Sequence, residues 1–448
     1  MMMNTSPAMP ASMQAMIDHV NEHFASTPRL GQLFRNCFPN TWQTTLRQLP
    51  DDTTFVLTGD IPAMWLRDSA LQVRPYLILA ADDPIVADLL AGVVRRQFRY
   101  ITHDPYANAF NAEPNGQGHH TDLTPMTDWL WERKYEIDSL CYPLQLAYLL
   151  WKATGRSDHL DQYFRDGAYQ IIELWRREQH HTEQSDYTFV RTNCPPTDTL
   201  PNGGNGNPVA HTGMTWSGFR PSDDTCIYGY LVPSNMFAVV VLGYLNELAE
   251  HVLRDSMLAA NAASLAAEID SGIKHYALID HPTHGTIYAY ETDGMNNVIL
   301  MDDANVPSLM AMPYLGYCRF DDPTYLRTRQ YVLSDDNPFF YRGSAATGVG
   351  SPHTPVRYIW HIALAMQGLT SPDPAEQRRI LEIMAASDAG TGFMHEGFDA
   401  DDPNNYTRPW FAWANAMYAE LALHICGYRV PGSPLDQQAD ALDRQKLV

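Results

Sequence analysis

WFAWANAMYAELALHIC, residues 410–426, is apolar on nearly every face of a helix, with Pro409 just before its first turn and Gly427 just after its last. A helix without a polar face must be covered on all sides by other elements. The same reading holds for MWLRDSALQVRPYLILAA (64–81), DSLCYPLQLAYLLWKAT (138–154), SNMFAVVVLGYLNELAEHVL (234–253) and RYIWHIALAMQGL (357–369), each with apolar residues three and four apart. AEQRRILEIMAAS (375–387) instead shows one apolar stripe and one polar face, as an outer helix would. Pro62, Pro233 and Pro355 mark further helix starts, and Gly155 and Gly368 further ends. Strand-like runs are short and few. Loop, helix, short turn and helix therefore repeat along the chain without a fixed period, which predicts an all-α closed toroid of alternating inner and outer helices.

At 448 residues the chain has room for two or three average domains, but one repetitive architecture fits equally well. With no Pro/Ser-rich or charged linker in view, a single domain over 1–448 is expected, with peripheral segments at 1–20 and 430–448. A formal charge of −22, from 30 Lys+Arg against 52 Asp+Glu, argues against a nucleic-acid partner. The first twenty residues lack the basic and apolar runs of a secretory signal, and no run of eighteen apolar residues occurs, so a cytoplasmic protein without a membrane partner is expected. Six widely spaced cysteines (Cys37, Cys141, Cys194, Cys226, Cys318, Cys426) read as free thiols. His281 and His284 sit in a turn-like DHPTHG, read as a surface loop. Neither a metal nor a cofactor is expected.

Polar clusters concentrate on the loops entering the apolar helices, and a closed toroid would gather those loops around one cavity. The densest is TWSGFRPSDDTCIYGYLVPSNMF (215–237), which crowds Trp216, Arg220, Asp223 and Asp224. A carboxyl buried among aromatic rings has its pKa raised, as a general acid needs, while a neighbour facing Arg220 stays ionised; a helix cap explains SDD equally well. FMHEGFDADDPNNYTRPWFAWAN (393–415) places His395 and Glu396 ahead of another inner helix, with a salt-bridged surface Glu as the plain alternative. TGDIPAMWLRDSA (58–70) brings Trp65, Arg67 and Asp68 together, able to stack on a sugar and bind its hydroxyls, or simply to tie helices. YEIDSLCYP with Glu136 and Asp138, LMDDANVPSL with Asp302, Asp303 and Asn305, and GSPHTPVRYIW with His353 carry capping or ion-pair explanations of equal weight. PNGGNGNP (201–208) is followed by no Lys-Ser/Thr and reads as a rim loop rather than a phosphate loop.

Taken together, IPAMWLRDSA, YEIDSLCYPLQLAYLLW, TWSGFRPSDD with YLVPSNMFAV, MDDANVPSLM, GSPHTPVRYIW and the 393–415 stretch resemble glycoside hydrolase family 125, the exo-α-1,6-mannosidases, from about Thr58 to Leu423. The resemblance implies an (α/α)6 barrel that removes terminal α-1,6-linked mannose from a mannose-containing oligosaccharide, with inversion and without metal. It also implies Asp223 as general acid and Glu396 as general base. By the same resemblance Trp65, Arg67 and Asp68 hold the terminal mannose, and Asp224, Arg220, Asp303, Asn305 and His353 complete the pocket. Glu136, Asp138 and His395 join them as candidate binding residues.

Two carboxyls distant in sequence suit glycoside hydrolysis, one protonating the leaving oxygen and the other deprotonating water. Helix N-termini lower the pKa of nearby carboxylates, which suits Glu396 and opposes an acid at Asp223, so burial is expected to win at Asp223. The competing readings are another inverting hydrolase or phosphorylase on the same barrel, and a helical toroid that binds glycans or proteins without catalysis.

Overall fold

The computed structural model describes residues 7–439; the ends of both expected peripheral segments, 1–6 and 440–448, lie outside the described residues. Among those described, six helical stretches form an inner ring: Leu66–Val73 continued by short turns to Ala80, Ile137–Thr154, Val232–Leu248, Met312–Leu315, His361–Leu369 and Ala412–Ile425. Ala412–Ile425 packs on both His361–Leu369 and Leu66–Val73, so the last inner helix closes on the first. Pro28–Cys37, Pro84–His103, Gln162–Glu178, Ser256–Tyr276, Pro323–Val332 and Pro374–Ala386 form the outer layer, each following or preceding an inner partner. This is the (α/α)6 barrel.

Burial separates the two rings as the sequence pattern predicts. Every residue from Ala412 to His424 is buried, whereas Pro374–Ala386 buries only Ile380, Leu381, Met384 and Ala385. Residues 232–253 are long and apolar enough to pass for a membrane span by length and composition; in the fold they are an inner helix and its last turn, packed on Ile137–Thr154 and Ser256–Tyr276. Gly368 does not end its helix. It lies inside His361–Leu369, where a Cβ would come within 2.9 Å of Leu421, so it lets two inner helices approach closely.

The N-terminal segment differs from expectation. Residues 11–20 are not peripheral but belong to a helix, Ala11–His23, that packs on Pro28–Cys37 with Met13, Ile17 and Val20 buried. The C-terminal segment is likewise anchored as far as it is described, with Val430, Ser433 and Leu435 buried. Most buried apolar side chains from Met13 to Leu435 form one continuous cluster, with Ala63, Trp65 and Ala109 in a second, small one.

The two rings start their helices differently. Asp83, Asp161, Asp255, Asp322 and Asp373 each cap an outer helix by accepting hydrogen bonds from backbone N–H groups of its first turn. Inner helices have no side-chain cap, and three of the six emerge from short strands: Met64–Trp65, Tyr230–Leu231 and Tyr358–Trp360 run directly into them. Met64–Trp65 pairs with Ala109–Phe110, which pairs with Leu130–Glu132; Tyr230–Leu231 pairs with Glu291–Thr292; Tyr358–Trp360 pairs with Gly397–Asp399. These antiparallel ribbons, invisible in a helical pattern, fix the loops at the mouth of the ring.

Candidate active site

At that mouth lies a half-open cavity with about 380 Å³ of empty space, part of it open to solvent. Trp65, Trp360, Phe411 and Trp413 wall it, Thr58, Ile61, Pro221 and Ser222 fill gaps between them, and Arg67, Asp68, Asp223, Asn305, His353, Glu396 and Arg408 supply its polar groups. Asp223 and Glu396 therefore face one shared space. The Asp223 carboxyl is 28% exposed and that of Glu396 9%, against 0% for Glu136 and Asp138.

Arg67 organises the floor. It stands in the first turn of its inner helix with its side chain 3% exposed. Its Nη1 donates to Glu136 Oε2 at 2.7 Å and to Asp138 Oδ2 at 3.0 Å, and its Nη2 donates to Asp223 Oδ1 at 3.2 Å. Asp68 Oδ2 lies 3.5 Å from Nε. Burial opposes the guanidinium charge, but Glu136, Asp138, Asp223 and Asp68 outweigh it and hold the group firmly protonated.

Asp223 is not a helix cap. Its φ of +65° is left-handed, a conformation that costs a non-glycine residue about 1–3 kcal/mol and persists only where the surroundings impose it. Here its N–H donates to Arg220 O at 2.9 Å, Arg220 N–H donates to Asp224 O at 2.7 Å, and the buried Lys134 Nζ donates to Asp223 O at 2.8 Å. Lys134 is itself anchored by Asp198. Burial raises the pKa of the Asp223 carboxyl, but a hydrogen bond with Glu136 and the charges of Arg67, Lys134 and His353 prevail and hold it below the usual carboxylate range. The expectation that burial would win at Asp223 is thus overturned. It wins at Glu136, where desolvation, reinforced by the Asp223 charge and hydrogen bond, overcomes Arg67 and raises the carboxyl well above its usual range.

Glu396 sits immediately before Gly397–Asp399, the strand paired to Tyr358–Trp360, so the ribbon sets its position. Arg408 Nη1 lies 3.6 Å from Glu396 Oε1. Arg408 is left-handed too, with φ +50°, and its guanidinium is held by Asp60 and lies 4.3 Å from the centre of the Phe411 ring. His353 Nδ1 lies 3.3 Å from Asp224 Oδ1. Burial lowers the imidazole pKa, but Asp224, then Glu396 and Asp223, lift it to about 9, making His353 a cation on the cavity wall. Asp68 is raised to about 6 by burial, against the pull of Arg67 and Arg408.

Of the thirteen catalytic and binding candidates that the resemblance names, Trp65, Arg67, Asp68, Asp223, Asn305, His353 and Glu396 line the cavity. Six others stand behind it. Glu136 and Asp138 lie fully buried beneath Arg67. Asp224 is buried between His353 and Ser222, whose hydroxyl donates to it at 3.1 Å. Asp303 is buried and accepts from Asn305 Nδ2 at 3.2 Å. Arg220 faces Glu291 at 2.6 Å rather than Asp224. His395 is fully buried and stacks on Tyr406 at 3.8 Å, so it does not reach the cavity.

Sequence reasoning passed over Lys134, Arg408, Trp360, Phe411 and Trp413. Arg408 and the aromatic residues lay inside quoted motifs as ordinary helix-entry residues; Lys134 directly precedes YEIDS and carries no local signal of its backbone partner 89 residues away. The 201–208 loop packs Gly206 on Trp216 and does not line the cavity. Away from the site, His284 Nε2 lies 2.7 Å from Asp336 Oδ2, close to His281, tying the Leu278–His281/Gly285–Tyr288 hairpin to the loop after Pro323–Val332.

Comparison with known proteins places this architecture. Residues 27–423 match the family described as metal-independent alpha-mannosidase (GH125). The Meiotically up-regulated gene 157 protein of Schizosaccharomyces pombe is 38% identical over 436 residues, covering 92% of this chain and 85% of that protein. Among solved structures, a Streptococcus pneumoniae metal-independent alpha mannosidase, in a non-productive complex with alpha-1,6-mannobiose, superposes with a TM-score of 0.93 at 50% identity, covering 94% of this chain and 99% of the other. A glycosidase at 14% identity, TM-score 0.56, covering 91% of this chain and 98% of its own, shares the fold.

Proposed function

The chain belongs to glycoside hydrolase family 125, the metal-independent α-mannosidases, and on that premise we propose that it removes terminal α-1,6-linked mannose with inversion, Asp223 acting as acid and Glu396 as base. The observation that carries this reading is that these two carboxyls, 173 positions apart in the chain, line a single cavity walled by four aromatic rings. Glu396 draws a proton from water as its oxygen attacks the anomeric carbon; Asp223 gives a proton to the glycosidic oxygen as that bond breaks. Inversion requires the carboxyls to stand about 6.5–9.5 Å apart, leaving room for the water. Support for the linkage comes from the mannobiose held by the S. pneumoniae relative.

Within the pocket, Trp65, Trp360, Phe411 and Trp413 offer apolar faces to a sugar ring, and Arg67, Asp68, Asn305 and His353 offer hydroxyl partners. Arg408, next to Glu396, holds the base side of the cavity. The test is a pair of variants, Glu396→Gln and Asp223→Asn, assayed on α-1,6-mannobiose. Each is expected to lower kcat by about 10²–10⁴-fold with little change in KM. Turnover of the disaccharide by Glu396→Gln at the wild-type rate would remove the base from this scheme.

A further inference from the structure

Two buried cations hold Asp223, one by each end. Arg67 Nη2 meets its carboxyl at 3.2 Å, whereas Lys134 Nζ donates to its backbone oxygen at 2.8 Å. A buried ammonium is costly unless its donors are met, and Lys134, with its side chain 2% exposed, meets them with Asp198, the Asp223 oxygen and, at 3.9 Å, Glu132 Oε1. The lysine stands in the entry loop of Ile137–Thr154, and that loop is pinned. The Lys134 N–H donates to Asn108 Oδ1 at 3.1 Å, the Tyr135 N–H donates to the Tyr187 hydroxyl at 2.9 Å, and Tyr135 O accepts from the N–H groups of Gly218 and Phe219 at 3.1 Å each. Asp198 is pinned as well: Arg191 Nη1 donates to it at 3.1 Å, while Arg191 Nη2 donates to Asp122 at 2.7 Å and to Glu132 at 2.8 Å. Its segment is also bonded to the acid loop, since Thr225 donates from N–H to Thr197 O at 2.7 Å and from its hydroxyl to Thr199 O at 2.8 Å.

We infer that Lys134, fixed by Asp198, is a positioning residue for the reaction: its grip on the Asp223 backbone oxygen keeps that residue left-handed and so aims the acid carboxyl at the glycosidic oxygen. This rests on the reading of Asp223 as the acid. A left-handed aspartate relaxes when its surroundings stop imposing the shape. The turn bond to Arg220 O secures the Asp223 N–H and leaves the carbonyl to Lys134. With that grip lost the backbone turns and carries the carboxyl with it, and a misplacement of about 1 Å costs about 10²-fold in rate. The charge of Lys134 acts in the opposite sense. It lowers the proton affinity of Asp223, so removing the charge alone would leave more of the acid protonated and speed cleavage of a disaccharide. Position and charge thus predict effects of opposite sign.

The test is Lys134→Met, assayed at neutral pH on α-1,6-mannobiose and on a 2,4-dinitrophenyl α-mannoside, whose leaving group needs no protonation. Positioning predicts that kcat on the disaccharide falls by about 10–10²-fold, with KM within about twofold and dinitrophenyl mannoside turnover within about threefold of wild type. Equal losses on both substrates would make the lysine merely structural, and unchanged or faster disaccharide cleavage would leave it no part in aiming the acid; either overturns the inference. Asp223→Asn, run alongside, separates the two readings: if it cleaves the disaccharide normally, the acid assignment itself falls and takes the role of Lys134 with it. Should Lys134→Met not fold, Asp198→Asn loosens the same ammonium from a side chain that is 30% exposed. Its expected effect is a loss of about three- to tenfold confined to the disaccharide, and a loss equal on both substrates, or none, overturns the inference.

Discussion

Replacing Arg67 by Met removes the one cation that binds Glu136, Asp138 and Asp223 together while keeping most of the side-chain volume. Breaking a buried ion pair from one side costs about 3–5 kcal/mol, because the abandoned charge stays buried. The cost here belongs at the upper end, since Glu136 and Asp138 are both fully buried and Asp138 Oδ1 already has no partner. Arg67→Lys keeps the charge but cannot reach three carboxyls from one ammonium, so it loses about 1.5–3 kcal/mol of charge-assisted hydrogen bonding. The sign of the pH dependence follows from the same groups. Without Arg67, burial alone acts on Glu136 and Asp138, which bind protons more tightly in the fold than in the unfolded chain. Stability of the variant therefore falls as pH rises above the unfolded carboxyl value of about 4, and the deficit against wild type is larger at pH 8 than at pH 5. Urea unfolding of wild type, Arg67→Met and Arg67→Lys at the two pH values measures this directly. A loss below about 1 kcal/mol for Arg67→Met, or a deficit equal at both pH values, would refute the account of the carboxyl cluster.

His353, raised to about 9 mainly by Asp224, contributes stability that is fully present below its unfolded pKa of about 6.5 and is lost as pH rises through about 9. The ring is 40% exposed, so solvent screens much of the effect, and the readout is the gap in urea midpoint between wild type and His353→Gln. That gap should close between pH 6 and pH 10; a constant gap would show the ion pair to be inert. Gly118, at φ +115°, would set a Cβ 2.2 Å from the Trp131 carbonyl oxygen, so Gly118→Ala should cost about 2–4 kcal/mol from strain and overpacking together. Gly155→Ala, left-handed but with open space around it, is the control at about 1 kcal/mol. Equal effects in thermal unfolding would mean that the Trp131 strand yields.

The barrel is legible because a helix such as 412–425, apolar on nearly every face, must be covered by other helices, and five helices with such sequences in one chain need a ring to bury their apolar faces. The helix at 11–23 was missed for the opposite reason: its buried Met13, Met16, Ile17 and Val20 are diluted by polar neighbours, and a chain end reads as peripheral by default. The ribbons escaped notice because strands of two or three residues have no period to detect. In the site, Asp223 and Glu396 stood out by their motifs, but their electrostatics did not. Arg220, three residues from Asp223, serves Glu291 instead, while Arg67, 156 residues away, meets the Asp223 carboxyl. Proximity in sequence predicts an Arg220–Asp224 pair, whereas in the fold the backbone is left-handed at Asp223 and Arg220 pairs with Glu291.

The most direct measurement of the central claim is a proton NMR time course on α-1,6-mannobiose with the wild-type enzyme. Two carboxyls working across a water predict that β-mannose is the first sugar released, with the α anomer growing only at the rate of mutarotation. Release of α-mannose from the first time point would mean that a carboxylate attacks the anomeric carbon itself, and would contradict the roles given to Asp223 and Glu396.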